Sequence, residues 1–102
     1  MIIVLGHVIT QPGRTAEALA IAQAHVARSR REPGCLEHGV HLDSDNPARL
    51  VFIERWADLA ALQQHFAVPE SGRFVREISA LAAERPAISL HQATELPWPG
   101  AQ

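Results

Sequence analysis

The stretch Asn46–Phe66, NPARLVFIERWADLAALQQHF, passes from turn to strand to helix in one unbroken run. Asn46-Pro47 is turn chemistry, and Pro47, with its fixed φ and missing N–H, marks where a strand can begin. Leu50-Val51-Phe52-Ile53-Glu54-Arg55-Trp56 is rich in β-branched and aromatic residues and reads as that strand. Asp58 is placed to cap the free N–H groups of a helix over 58–66. Leu59, Leu62 and Phe66 recur there at helical spacing and predict an inward stripe. Side chains alternate along a strand, so Glu54 and Trp56 share one face and Arg55 takes the other. A carboxylate beside an indole among apolar neighbours is the first candidate for a site.

Upstream, residues 2–10 (IIVLGHVIT) read as a strand bounded by Gln11-Pro12-Gly13. Ile3, Leu5, His7 and Ile9 fall on one side, and Ile2, Val4, Gly6 and Val8 on the other. Both faces are apolar, so the strand is expected to be central. Residues 14–31 predict a helix with Thr15 as a cap, an inward stripe of Leu19, Ala22 and Val26, Ile21 beside it, and Pro33-Gly34 as its stop. Arg28, Arg30 and Arg31 near its end complement the helix dipole. In residues 35–43, Leu36, His38, Val40 and Leu42 alternate with Cys35, Glu37, Gly39, His41 and Asp43, as at a sheet edge with one wet face. Ser44-Asp45-Asn46-Pro47 then predicts an antiparallel hairpin.

Downstream, Val68-Pro69-Glu70-Ser71-Gly72 interrupts the helical pattern. A further helix is expected over 72–84 with Phe74, Ile78 and Leu81 inward, and after Pro86 a fourth strand over 87–95. The order βαββαβ, with right-handed crossovers, gives a ferredoxin-like α+β fold: a four-stranded antiparallel sheet with helices on one face. The first and third strands should be central and apolar on both faces. The uncovered face is expected to pair with the same face of a second copy in a homodimer. One domain over 1–95 and a tail over 96–102 follow, with Trp98 docking on a surface or a neighbouring subunit.

The bulk numbers are those of an ordinary globular domain: 102 residues, 47% hydrophobic, 20% charged, net charge −2. Neither nucleic acid nor a membrane is an expected partner at that charge. The opening Met-Ile-Ile-Val-Leu is too short for a span and has no basic leader, and one cysteine makes no internal disulfide or CxxC site. A cytoplasmic location is the expectation.

Four pieces in order are similar to the antibiotic biosynthesis monooxygenase (ABM) family, small proteins of the dimeric α+β-barrel fold. They are IIVLGHV with a Pro-Gly and a helix after it, HVARSRREPGCLEH (25–38), RLVFIERWADLAALQQHF (49–66), and the strand after Pro86. The likeness covers residues 1–95. It implies a homodimer with a pocket between sheet and helices. It also implies oxidation of a quinol or aromatic polyketide-type phenol by molecular oxygen as co-substrate, with no metal, flavin or haem cofactor. The substrate then supplies the electrons, and the protein binds the ring, removes a proton and steadies the anion. Relatives that degrade haem carry Asn at the place of His7, Trp near the place of His65, and a His in the later helix. Here that helix reads GRFVREISALAAERP, which argues against haem. Many quinol-type relatives have a His where this chain has Glu70. The alternatives are an isomerase or tautomerase of a small hydroxy-carbonyl compound, or a non-catalytic small-molecule-binding stress protein of the same fold.

For the oxygenase reading a base near neutrality is needed, and His65 and His7 are the candidate catalytic residues. The plain alternative for each is a packed histidine satisfied by a neighbour. Trp56, Glu54, Arg55, Phe74 and His38 are candidate substrate contacts. Against this, Glu54 fits a structural ion pair with an arginine, and Trp56, Phe52 and Phe74 fit a core. His38 and His41, three apart on a strand, point to opposite faces and cannot share an ion, so no metal ligands are assigned. His25 and His91 have no supporting context, and Cys35 reads as a small packing residue.

Overall fold

The apolar N-terminal run forms β1 (Ile2–Ile9), which the computed structural model, describing residues 1–99, places inside a four-stranded antiparallel sheet. The elements that follow are α1 (Thr15–Ser29), β2 (Cys35–Asp43), β3 (Asn46–Trp56), α2 (Leu59–Ala67), α3 (Pro69–Ala80) and β4 (Ala87–Gln92). The strand order is β2-β3-β1-β4, so β1 and β3 are central, as their two apolar faces require. The β2–β3 hairpin is fastened by its own turn residues: Asp43 Oδ1 accepts from the Asp45 N–H at 2.8 Å, and Asn46 Oδ1 from the Ala48 N–H at 3.1 Å. No helix among the described residues is long and apolar enough to cross a membrane.

The register sets which side chains meet the helices. Val4 pairs with Glu54, Gly6 with Phe52 and Val8 with Leu50, so these residues and Trp56 share the helix-covered face. Val8, Leu50 and Phe52 pack with Ala18, Ala22, Ile78 and Leu81, and Ile2, Val4 and Trp56 with Leu62. The other face carries Ile3, Leu5, His7, Val51, Ile53 and Arg55, with Leu5 44% exposed in the single chain.

Several local expectations need correcting. Thr15 is not the cap of α1. It lies in the first turn with its hydroxyl 2.6 Å from that of Thr10, while Arg14 holds the cap position without a side-chain capping hydrogen bond. The buried stripe of α1 is Ala18, Ala22, His25, Val26 and Ser29, with Leu19 and Ile21 at its margins. Two alanines with no exposed surface let α1 lie close to the sheet, and that rotation carries His25 inward. In α2 the Asp58 cap forms as expected, accepting from the Ala61 N–H at 2.8 Å. Its inward residues are Leu62 and His65, however, while Leu59 and Phe66 are about half exposed.

The alternation in β2 fails at Leu36. Cys35 pairs with Trp56 and Glu37 with Arg55, so Leu36 is an extra residue in a bulge and is 53% exposed. Helix α3 begins at Pro69, in the stretch expected to be a loop, because proline's missing N–H costs nothing in a first turn. It ends at Ala80, and β4 stops at Gln92 rather than residue 95. Trp98 is 73% exposed in the single chain, and residues 100–102 of the expected tail lie outside the described residues.

Candidate functional site

Glu54 is the buried carboxylate of the helix-covered face. It is placed by β3 alternation next to Trp56, whose Nε1–H donates to its Oε1 at 2.9 Å. The arginine expected as its partner is absent: Arg55 lies on the opposite face, donating to Glu37 at 2.6 Å. Instead, Nε2 of His38, directly across in β2, lies 3.3 Å from Glu54 Oε1. That is ion-pair distance and a poorly aligned contact that leaves Nε2 without a well-formed hydrogen bond, while Nδ1 of His38 has no partner at all. Burial pushes the Glu54 carboxyl up. The His38 ring and the Trp56 N–H outweigh it and hold the group below its ordinary value.

Two further histidines stand around His38. His65, on the inner face of α2, tilts over Trp56 with ring centroids 4.6 Å apart, and its Nδ1 is 2.8 Å from Glu32 Oε1. A carboxylate only accepts, so Nδ1 carries the hydrogen and Nε2 keeps a lone pair in the neutral ring. Burial, the largest influence, lowers the His65 pKa despite Glu32. His25 stacks on Phe74 with centroids 3.9 Å apart and planes 3° from parallel. Its Nδ1 is 2.8 Å from an Arg28 nitrogen. A guanidinium only donates, so here Nδ1 accepts and Nε2 carries the hydrogen. Burial, then the neighbouring His38, His65 and Arg28, push the His25 pKa down to about 3. Arg28 also donates to Glu32 at 2.6 Å, which closes a chain from His25 through Arg28 and Glu32 to His65.

A cavity of about 300 Å³ opens between the β1–β4 side of the sheet and α3. Val4, Val8, Phe52, Phe74, Ile78 and Ile88 give it apolar walls; Glu54 and His25 are among its polar groups, with Arg85 at the exposed rim. Gly6 keeps the floor open: a Cβ there would stand 3.2 Å from the Ala87 carbonyl oxygen and 3.8 Å from Phe52 Cβ.

Of the residues named from sequence, Glu54 and Phe74 line this cavity, and Trp56, His38 and His65 stand behind Glu54. His7 borders the cavity through β1, but alternation turns its side chain to the opposite face, and Arg55 is there too. The two histidines proposed as catalytic are thus on opposite sides of the sheet. His25, Arg28 and Glu32 are the participants that the sequence reading passed over. Positions 18, 22, 25 and 29 repeat at helical spacing, and that register would have turned His25 inward. The Cys35 thiol is pushed up by burial and then by Glu54 and Glu32, so it stays protonated at neutral pH and packs beside Trp56 and Leu62.

A βαββαβ sheet with a cavity under its helices defines a ferredoxin-like α+β protein. The chain belongs to the antibiotic biosynthesis monooxygenase family, whose model matches residues 1–77. An uncharacterised protein of Synechocystis sp. is 31% identical over 94 residues, covering 92% of this chain and 64% of that longer relative. A crystal structure of an antibiotic biosynthesis monooxygenase superposes with a TM-score of 0.85 at 30% identity, over 93% of this chain and 100% of the other. A Pseudomonas aeruginosa protein gives 0.82 at 29% identity, over 92% and 94%. A Deinococcus radiodurans structure, at 24% identity over 95% and 96%, reaches 0.90 and speaks for the fold.

Proposed function

We propose that the chain is a monooxygenase acting on a quinol or polycyclic phenol, with the ring held in the apolar cavity and its acidic hydrogen presented to Glu54. The observation that carries this reading is the placing of Glu54 and His25 on one apolar cavity. Glu54 is an ionised carboxylate and acts as the base. His25 is a neutral imidazole whose remaining N–H donates to the oxygen on which charge develops. A carboxylate base paired with a neutral donor lowers the barrier to proton removal without either group changing charge beforehand. Glu54 holds the proton while oxygen reacts, and the Trp56 N–H keeps its carboxyl oriented. The deprotonated ring supplies the electrons. At an anthrone-type ring carbon, one oxygen atom replaces two hydrogens as a carbonyl and the other leaves as water, so the step asks for no further cofactor.

Homodimer formation through the uncovered sheet face belongs to the same proposal, supported by the apolar Ile3, Leu5, Val51 and Ile53 there. Isomerisation of a small hydroxy-carbonyl compound is the second reading, because a base and a facing N–H donor also suit enolisation. Oxygen uptake separates the two. Metal-stripped protein with a panel of hydroquinones and anthrones should consume oxygen above the substrates' own autoxidation. Turnover of a hydroxy-carbonyl substrate without oxygen would favour the isomerase.

A further inference from the structure

His25, His38 and His65 come from α1, β2 and α2, and one ligand atom of each lies within 4.8 Å of the other two. Their ring centroids form a nearly equilateral triangle with sides of 5.3, 5.4 and 5.5 Å. Three imidazoles bound to one tetrahedral ion at about 2.1 Å have centroids about 5 Å apart. The rings therefore already have the spacing, and rotation about their side-chain torsions draws the nitrogens together.

Two independent features suit an ion at this point. The His38 side chain has no exposed surface, yet its Nδ1 has no partner and its Nε2 has only the poorly aligned Glu54 carboxylate at 3.3 Å. A bare buried polar atom costs about 1–3 kcal/mol, and natural structures normally satisfy it. Glu32 on His65 Nδ1 is the carboxylate–histidine arrangement that orients a metal-binding ring and raises its basicity.

We propose that His25, His38 and His65 bind one divalent transition-metal ion of the kind imidazole ligands take, such as zinc or cobalt, with Glu54 as a further donor. Ligation moves the His25 hydrogen to Nδ1 and so breaks the Arg28 contact. Arg28 keeps Glu32 and has Ser71 Oγ 3.5 Å away as its alternative. Ligation also takes the nitrogen that the oxidation reading gives to substrate, so a bound ion competes with that chemistry rather than supplying it.

The test is titration of metal-stripped, full-length protein with Co(II), read by visible absorption, and with Zn(II), read by calorimetry and by the unfolding midpoint. The proposal expects one ion per chain, the intense absorption of tetrahedral Co(II), and a higher midpoint with metal. His38→Leu should abolish all three, and His25→Gln, kept as a second variant should the first not fold, should do the same. Glu32→Gln should weaken binding about 10- to 100-fold. No Co(II) band, or binding unchanged in the histidine variants, overturns the proposal. Oxygen uptake by metal-stripped protein stands or falls separately.

Discussion

Glu32 and His65 are 33 residues apart in sequence and 2.8 Å apart in space, the carboxylate accepting from the imidazole Nδ1–H. This bond ties the turn after α1 to the inner face of α2, and Arg28 holds the other carboxylate oxygen at 2.6 Å. Glu32→Gln keeps the shape but removes the charge from both bonds. Urea unfolding should show a loss of about 1–3 kcal/mol, and the His65 ring should lose its single tautomer by NMR. Unchanged stability and tautomer would mean that Glu32 is a bystander.

Gly34 sets that same turn. Its φ is +81°, and a Cβ there would stand 2.5 Å from Ala61 Cβ on α2. Gly34→Ala should destabilise the fold by about 2 kcal/mol or more, from left-handed backbone strain plus displacement of α2. Gly13→Ala is the control: its φ is +78° with nothing within 4 Å, so it feels the strain alone and should cost less.

His38 makes the opposite prediction. With Nδ1 unpartnered and Nε2 held only by the poorly aligned Glu54 contact, His38→Leu removes a buried polar ring without breaking a well-formed hydrogen bond. The metal-free variant should be as stable as the parent or more so by about 1 kcal/mol. A loss of several kcal/mol would show that the Glu54 contact at 3.3 Å is worth more than its geometry suggests.

Acid should unfold the protein through the same cluster. The folded-state pKa of His25, about 3, lies below the ordinary 6.5, and that of His65 is also lowered. The unfolded chain therefore binds protons first, and stability falls as pH drops below about 6.5, by up to about 1.4 kcal/mol per pH unit for each such histidine. For His25 the loss continues to about pH 3. The lowered Glu54 carboxyl adds to the loss as pH passes below the ordinary carboxylate value. His25→Gln should flatten the stability curve between pH 6.5 and pH 4, by the same 1.4 kcal/mol per unit that one histidine contributes. A curve parallel to that of the parent would contradict the assignment.

The sheet and its order were legible because strand alternation, the Ser44–Pro47 turn and the Asp58 cap are local signals, each acting within a few residues. Glu54 and Trp56 on one face followed from the same periodicity. The rest of the site was hidden because it is made of distant contacts. The inward turn of His25 depends on how closely Ala18 and Ala22 let α1 approach the sheet, and the route of Leu36 depends on a bulge that no alternation count contains. Phe66 outranked His65 on hydropathy, yet His65 went inside because Glu32 and Trp56 were waiting for it.

Glu54→Gln is the most direct test of the proposed chemistry, since it keeps the side-chain shape and an oxygen for the Trp56 N–H while removing the base. Steady-state oxygen uptake on a quinol or anthrone oxidised by the parent protein should show kcat lowered roughly 10²- to 10⁴-fold, with KM held within a few-fold. Uptake at the parent rate in a folded Glu54→Gln protein would contradict the assignment of Glu54 as the base.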